Sequence, residues 1–169
     1  VEMYRRRYPE IPEDRWMLIP NGYDEAVFDE VADSVSRHCD RRPDHLVTLL
    51  HSGVVYPSER DPSQLFEALA RLKASGTIDA SKLRVRFRAC RHMELLSAMV
   101  HEHGVDDLVE LLPGLPYREA LAEMLTSDAL LILQASNCNH QVPAKVYEYF
   151  RARRPLLALT DPVGDTAQV

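Results

Sequence analysis

The sequence feature that most constrains the fold is a regular alternation of short apolar runs with amphipathic segments from residue 45 onward. The apolar runs predict β-strands over 45–51, 83–89, 108–112, 129–133 and 155–159. Strands that alternate with helices need crossover connections, and crossover connections produce a parallel sheet. The sequence therefore predicts an α/β fold, a Rossmann-like doubly wound parallel sheet whose simplest strand order is 3-2-1-4-5.

The segments between these runs carry apolar residues at helical spacing. The first begins at Asp61, whose side chain can accept a hydrogen bond from an early amide, and Pro62 fits the first helical position. The apolar positions of the four predicted helices are Leu65, Phe66, Leu69 and Leu72, then Met93, Leu96, Met99 and Val100, then Ala120, Leu121, Met124 and Leu125, and finally Val142, Val146, Tyr149 and Phe150. The second strand alternates apolar residues with three arginines, which predicts that one of its faces is less covered.

The first 44 residues are less regular. Residues 15–20 predict a strand that ends at a turn, and residues 24–43 predict a charged connector with one short helix. We therefore divide the chain into an interdomain junction over 1–44 and a domain over 45–169. Because the sequence opens on Val1 and stops where a loop enters a helix, we expect it to be a piece of a longer polypeptide, truncated at both ends.

Charge and composition exclude several classes of function. The chain has 20 basic and 26 acidic side chains and a net charge of −6. Its longest basic run is Arg5-Arg6-Arg7, so nonspecific nucleic-acid binding is not expected. No apolar run approaches the roughly 18 residues of a transmembrane helix, and no basic start with an apolar segment indicates a secretory signal. Cys39, Cys90 and Cys138 are too far apart for a disulfide framework or a metal knuckle. We expect a cytoplasmic protein.

The predicted topology indicates where a ligand would bind. In a doubly wound sheet, ligands bind beyond the carboxyl ends of the strands where the strand order reverses. This switch point lies between the first and fourth strands, so the loops 51–60 and 134–142 meet there. In the first loop Gly53 allows close backbone approach and Arg60 offers a fork that fits phosphate oxygens. The alternative is a simple turn at Gly53 and a surface ion pair of Arg60 with Glu59 or Asp61.

The second loop is rich in hydrogen-bonding groups and ends at a helix start, where free amides attract anions. Along this helix Gln141, Lys145 and Glu148 fall on one stripe, which could hold a phosphate and a pair of sugar hydroxyls. An ordinary surface pair between Lys145 and Glu148 explains the spacing equally well.

Other catalytic signals are weak. Neither the dinucleotide fingerprint nor the P-loop fingerprint is present. Cys138 has no evident base at a fixed spacing. No pair of carboxylates has the spacing of metal ligands, so we expect no metal and no cofactor.

Four motifs occur in an order that resembles a known family. They are Ile19-Pro20-Asn21-Gly22-Tyr23-Asp24 with Phe28, the loop from His51-Ser52-Gly53 to Arg60-Asp61-Pro62, Val109-Glu110-Leu111-Leu112-Pro113-Gly114, and Val142-Pro143-Ala144-Lys145-Val146-Tyr147-Glu148-Tyr149-Phe150 with Arg154-Pro155. This order is similar to that of the GT-B retaining glycosyltransferases of the large family four. The likeness covers nearly the whole chain and implies the C-terminal, donor-binding domain of such an enzyme, with the N-terminal acceptor domain missing.

The resemblance implies roles for particular residues. Glu148 matches the second glutamate of the family's paired-glutamate motif, which binds the ribose hydroxyls of the nucleotide. Arg60 matches the basic residue on the donor diphosphate. Gly53 would let the backbone approach the phosphates, and Gly114 would lie beside the base.

Three positions depart from the family pattern. His140 stands where the family has the first glutamate, Val54 replaces a second basic residue, and 89–91 replace a glycine-rich turn. A carboxylate role at position 140 is thereby excluded, and we assign His140 to the catalytic position, in contact with the donor sugar. Related branches with the same "VPxKxxEY" variant also lack the first glutamate.

The implied reaction moves a sugar from a UDP- or GDP-linked donor to an acceptor hydroxyl with retained configuration. Arg60, Lys145 and the helix amides near Val142 would stabilise the leaving diphosphate. The implied partners are the nucleotide sugar and the acceptor domain, through which the enzyme would be peripheral to a membrane. The alternatives are a sugar-nucleotide epimerase of the same shape and a noncatalytic nucleotide-sugar-binding or assembly domain.

Overall fold

A single five-stranded sheet organises the protein. The computed structural model describes residues 1–38 and 46–169. The strands are β1 Val47–Ser52, β2 Leu83–Arg88, β3 Val109–Leu112, β4 Ala129–Gln134 and β5 Leu156–Thr160. Each neighbouring pair is parallel and the order is β3-β2-β1-β4-β5. The predicted fold class and strand order are thus confirmed, and position 45 of the predicted first strand lies outside the described residues.

Helices cover both faces of the sheet, which makes it doubly wound. They are α1 Glu2–Arg7, α2 Glu25–His38, α3 Ser63–Ala74, α4 Met93–Glu102, α5 Tyr117–Thr126, α6 Ala144–Ala152 and α7 Asp165–Gln168, with short 3-10 turns at Glu13–Arg15 and Ser136–Cys138. The four helices predicted between strands are α3 to α6. Asp61 Oδ1 accepts a hydrogen bond from the Ser63 amide at 2.9 Å, as expected. Helix α3 begins at Ser63, so Pro62 lies at the N-cap and not at the first helical position. Among the described residues, no helix is long and apolar enough to span a membrane.

Two apolar cores lie on opposite faces of the sheet. Leu49, Leu131 and Leu133 face α3 and α4, whereas Leu50 and Ile132 face α2, α5 and α6. Strands β1 and β4 are central and buried on both faces, which explains why β4 is almost continuously apolar. Strand β1 also buries the polar residues Thr48, His51 and Ser52. The carboxyl ends of these two strands are therefore held in place by a core on either side.

The second strand is less covered on one face, as predicted. Val85 and Phe87 are fully buried, whereas the three arginines that alternate with them keep part of their side chains exposed. We call Arg84, Arg86 and Arg88 the arginine ladder. Its members form ion pairs with carboxylates on β3 and α5.

The interpretation of the first 44 residues was wrong at two points. Residues 15–20 form no strand: the chain makes a 3-10 turn and then runs extended, with Met17 and Ile19 each 80% exposed. A short apolar run is ambiguous, and here no sheet edge pairs with it. The connector contains a helix of 14 residues, α2, because Phe28 and Val31 form an apolar stripe that packs against α5 and α6. Residues 39–43 of the connector, with Cys39, lie outside the described residues.

Candidate functional site

The loops after β1 and β4 meet at the point where the strand order reverses. The Ala135 amide donates a hydrogen bond to the Glu59 carbonyl at 2.7 Å, and Asn137 Nδ2 donates to the Ser58 carbonyl at 2.9 Å. These bonds join the start of the second loop to the end of the first. The two loops predicted to form a site therefore make one continuous surface at the carboxyl ends of the strands.

Gly53 begins the first loop in a conformation that favours glycine. Its φ is +124°, and a Cβ built at this position would lie 2.8 Å from Lys145 Nζ. Its amide donates to the Arg88 carbonyl at 3.0 Å, which keeps the turn close to β2. Any side chain at position 53 would both strain the backbone and displace the lysine.

Lys145, on the first turn of α6, points back into the loop after β1. Its Nζ donates a hydrogen bond to Nε2 of His51 at 3.2 Å, and Nδ1 of His51 lies 3.0 Å from the Leu131 carbonyl. Burial, and then the charge of Arg60, lowers the pKa of Lys145 from its ordinary 10.5 to about 7. A nearby anion would raise this pKa again, so the site favours a negatively charged ligand.

Arg60 lies at the end of the same loop, and its side chain points back toward the start of the loop. One of its guanidinium nitrogens donates to the Val54 carbonyl at 2.9 Å, and its guanidinium carbon lies 5.2 Å from the centre of the Tyr56 ring. Its Nε is buried and has no hydrogen-bond partner among the described residues. The fork is thus held in place while part of its donor capacity stays unused.

Both alternatives that assigned these cations to ordinary surface pairs are contradicted. Arg60 forms no ion pair with Glu59 or Asp61, since its guanidinium turns toward Val54 and Tyr56. Lys145 forms no ion pair with Glu148, since its Nζ turns toward β1. We call Arg60 and Lys145 the cation pair.

Glu148 lies one turn further along α6 and faces α5. Its Oε1 accepts a hydrogen bond from the Tyr117 hydroxyl at 3.0 Å. Burial, together with this carboxylate, raises the pKa of Tyr117 to about 12. The bond orients the carboxylate, and the Tyr117 ring stays exposed beside it.

The two remaining site candidates lie on neighbouring loops. Gly114 is exposed after β3, and a Cβ built there would meet the Ala89 Cβ at an ordinary 3.7 Å. His140 is exposed in the turn before α6, next to Asn139, which is held by hydrogen bonds to Asp161 and Asp165. The structure therefore brings Gly53, the cation pair and, a turn away, Glu148 together. It leaves Gly114 and His140 on adjoining loops, and the roles of all six residues stay predictions.

Several contacts of the site were not expected from the sequence. The Tyr149 hydroxyl, assigned only to an apolar face, accepts a hydrogen bond from the Ser52 amide at 2.8 Å. Asn21 Nδ2 donates to the Val142 carbonyl at 3.2 Å and ties the first motif to the start of α6. For His51 the sequence gave one indication, since a histidine is seldom found at the end of a buried strand.

The described residues offer no metal site of the usual kind. No group of three or more histidine, cysteine, aspartate or glutamate side chains within 1–38 and 46–169 could hold a metal ion. Metal-free chemistry stays an expectation from the sequence.

The fold is similar to that of part of two solved structures. WaaG, a glycosyltransferase involved in lipopolysaccharide biosynthesis, matches with a TM-score of 0.67 and 19% identity, over 98% of this chain and 42% of WaaG. An α,α-trehalose-phosphate synthase (UDP-forming) from Burkholderia xenovorans, in complex with glucose-6-phosphate, matches with a TM-score of 0.55 and 14% identity, over 88% of this chain and 37% of the synthase.

The chain thus spans about two fifths of the length of each structure that it matches. No protein-family model matches the sequence, and no curated protein matches it at a significant level. At these identities the likeness establishes the fold.

Proposed function

We propose that this chain is the donor-binding domain of a retaining glycosyltransferase of family four. It would bind a nucleotide diphosphate sugar at the switch point of the sheet and present the sugar to an acceptor hydroxyl. The observation that carries the proposal is the cation pair, which flanks Gly53 without a carboxylate partner among the described residues. Because each of these two cations disfavours the charge on the other, an anion that binds beside them is stabilised by both.

The diphosphate is the part of the donor that fits this pair. Gly53 has no side chain, so the ammonium group of Lys145 can lie against the turn, and Arg60 presents a planar guanidinium suited to phosphate oxygens. Lys145 supplies a compact ammonium, and the first amides of α6 add the positive end of the helix dipole. Gly53 and Arg60 lie on the loop after β1, and Lys145 lies on the first turn of α6, which follows the loop after β4.

The nucleoside would extend from the diphosphate toward α5. Glu148, held by Tyr117, presents a carboxylate that can accept hydrogen bonds from both ribose hydroxyls. Gly114 offers open backbone for the base at the end of β3. The sugar would lie on the opposite side of the diphosphate, where His140 is exposed before α6.

In the reaction, the bond between the anomeric carbon and the diphosphate oxygen breaks, and both electrons stay on the diphosphate. The acceptor oxygen forms the new bond on the same face of the sugar, and its proton passes to the departing diphosphate oxygen. The cation pair and the α6 amides stabilise the growing charge, and this stabilisation is larger in the transition state than in the bound donor. Lys145 is suited to this task because a neighbouring anion favours its protonated form.

The acceptor would enter between this domain and an N-terminal acceptor domain outside this chain. We place the enzyme in the cytoplasm, in contact with a membrane through that second domain. The UDP-forming synthase among the matching structures makes UDP the first nucleotide to test, and WaaG's part in lipopolysaccharide biosynthesis suggests a polysaccharide or glycolipid acceptor.

Calorimetry tests the donor site directly. We expect UDP or GDP to bind the chain more tightly than the corresponding nucleoside. Arg60→Ala should weaken nucleotide binding and leave nucleoside binding nearly unchanged.

Glu148→Ala should weaken the binding of both the nucleotide and the nucleoside, because both contain ribose. Equal losses for both ligands in Arg60→Ala would remove Arg60 from the phosphate site, and unchanged heats in Glu148→Ala would remove Glu148 from the ribose site.

A noncatalytic nucleotide-sugar-binding domain is the second candidate, and His140 is the observation that favours it. A histidine cannot supply the carboxylate that the family places at this position. The full-length protein should therefore be given UDP- and GDP-linked sugars and examined for transfer and for donor hydrolysis. Binding without release of nucleotide diphosphate from any donor would favour this candidate over the enzyme.

A further inference from the structure

His51 is buried beside the proposed diphosphate site, and no step of the proposed reaction uses it. It lies near the end of β1 with 0% of its surface exposed. Its ring packs against that of Phe87 at 5.6 Å between centres. A buried imidazole is costly unless its nitrogens find partners, so its two contacts report how it is held.

The two contacts define the tautomer. Nδ1 lies 3.0 Å from the Leu131 carbonyl, and a carbonyl only accepts hydrogen bonds, so Nδ1 carries the proton. Nε2 then presents a lone pair, and Lys145 Nζ lies 3.2 Å from it. Burial, followed by the charge of Lys145, keeps the pKa of His51 well below its ordinary value. The ring therefore remains a neutral acceptor.

We propose that His51 is a positioning residue, whose neutral imidazole holds the ammonium group of Lys145 beneath Gly53 in the orientation that a diphosphate requires. This inference rests on the proposed function. An ammonium has three N–H donors, and one of them is used by Nε2. The other two are left for phosphate oxygens, because the missing Cβ of Gly53 lets the ammonium group itself lie against the turn.

Other charged groups around the lysine act in opposite directions. Arg60, from the loop after β1, disfavours the protonated form of Lys145, and Glu148, on the same face of α6, favours it. Nε2 of His51 acts in the same direction as Glu148: it favours the protonated form of Lys145, because it accepts a hydrogen bond from the ammonium group. Removing that acceptor should therefore shift Lys145 toward its neutral form and weaken anion binding.

Two substitutions distinguish the role of Nδ1 from that of Nε2. His51→Asn keeps a donor close to the position of Nδ1, for Leu131, and loses the acceptor for Lys145. His51→Gln can place its amide oxygen close to the position of Nε2, and it loses the donor for Leu131. A structural role in the strand predicts similar behaviour of both variants, whereas the positioning role separates them.

The probe is inorganic pyrophosphate, which lacks base and ribose, measured by calorimetry at about pH 8. We expect His51→Asn to lose about fivefold or more in affinity and His51→Gln to stay within about twofold of the wild type. In a Lys145→Met background, His51→Asn should cause no further loss, because the two residues act as one unit. Equal losses of pyrophosphate affinity in the two histidine variants would overturn the inference. So would a loss from His51→Asn that is as large in the Lys145→Met background as in the wild type.

A measurement on the wild-type chain decides the case even if a variant fails to fold. Nitrogen NMR of the histidine ring should show His51 protonated at Nδ1 and unprotonated at Nε2 between about pH 5 and pH 8. A proton on Nε2 would rule out the bond from Lys145 and with it the proposal. If the wild type binds neither pyrophosphate nor UDP, the proposed function fails. The His51 tautomer and the pKa of Lys145 in the two variants then still show whether His51 holds the lysine.

Discussion

Two groups of basic side chains lie within this small domain, and the fold treats them in opposite ways. The arginine ladder runs along β2, and each of its members reaches a carboxylate on β3 or α5. The cation pair lies at the ends of β1 and β4, and among the described residues its members contact a carbonyl, an aromatic ring and an imidazole. The first group is neutralised within the protein, and the second is not.

The contrast shows how a structural cation differs from one available to a ligand. Arg88 donates two hydrogen bonds to Glu123, at 2.7 and 2.8 Å, and both side chains are only 12% exposed. Such a bidentate pair leaves little attraction for an outside anion. Lys145 is also largely removed from water, and this burial, followed by the charge of Arg60, lowers its pKa to about 7. A cation that the fold destabilises gains most when an anion arrives.

The largest effect should come from breaking the ladder. Glu123→Ala leaves the Arg88 guanidinium largely buried without its bidentate partner, and we expect the free energy of unfolding to fall by about 3 kcal/mol. Urea denaturation measures this loss. Glu67→Ala, which removes the exposed partner of Arg71, should change stability by less than about 0.5 kcal/mol and serves as the control. Comparable losses in the two variants would mean that burial does not distinguish these ion pairs.

Lys145→Met removes one member of the cation pair and should lower ligand affinity. We expect UDP affinity to fall about tenfold, which corresponds to about 1.4 kcal/mol, because the positive charge of Lys145 no longer attracts the diphosphate. Wild-type binding at about pH 8 should also take up a proton, since the anion returns Lys145 to its charged form. Calorimetry in buffers of different ionisation enthalpy detects this uptake. Binding without proton uptake in the wild type would contradict the assignment of Lys145 to the phosphate site.

Stability should depend on pH through the same lysine. Its pKa is about 7 when folded and near 10.5 when unfolded, so below pH 7 both states are protonated and the folded state bears the full cost of a buried charge. Above pH 7 the folded state releases the proton and this cost is relieved. Relative to Lys145→Met, the wild type should gain about 1 kcal/mol between pH 7 and pH 8. A constant difference between the two proteins across this range would show that the lysine is not perturbed.

The fold and the meeting point of the loops could be predicted from sequence because both follow from periodicity. Apolar runs and helical stripes set the parallel order, and the order alone brings the loops after β1 and β4 together. The residues around Gly53 and Arg60 follow from that topology. Residues 15–20 were mistaken for a strand because a short apolar run does not reveal whether a sheet edge is available.

Side-chain contacts across long sequence separations could not be predicted. His51 and Lys145 are 94 residues apart, and nothing in the spacing of either segment shows that their side chains touch. Tyr117 and Glu148 meet between two helices whose relative rotation depends on the whole core. Both contacts decide how a predicted site residue is oriented, so the sequence indicated the site residues and the structure was needed to show how they are held.

The smallest effect concerns the carboxylate on the far side of the cation pair. Tyr117→Phe removes the hydroxyl that orients Glu148 and leaves the ring in place, so UDP affinity should fall by about twofold, or about 0.4 kcal/mol. Pyrophosphate, which has no ribose, should bind the variant as it binds the wild type. The pair of ligands thus separates the part of the site that holds the nucleoside from the part that holds charge. A loss for pyrophosphate as large as that for UDP would mean that Tyr117 acts on the cation pair, and that the two parts are not independent.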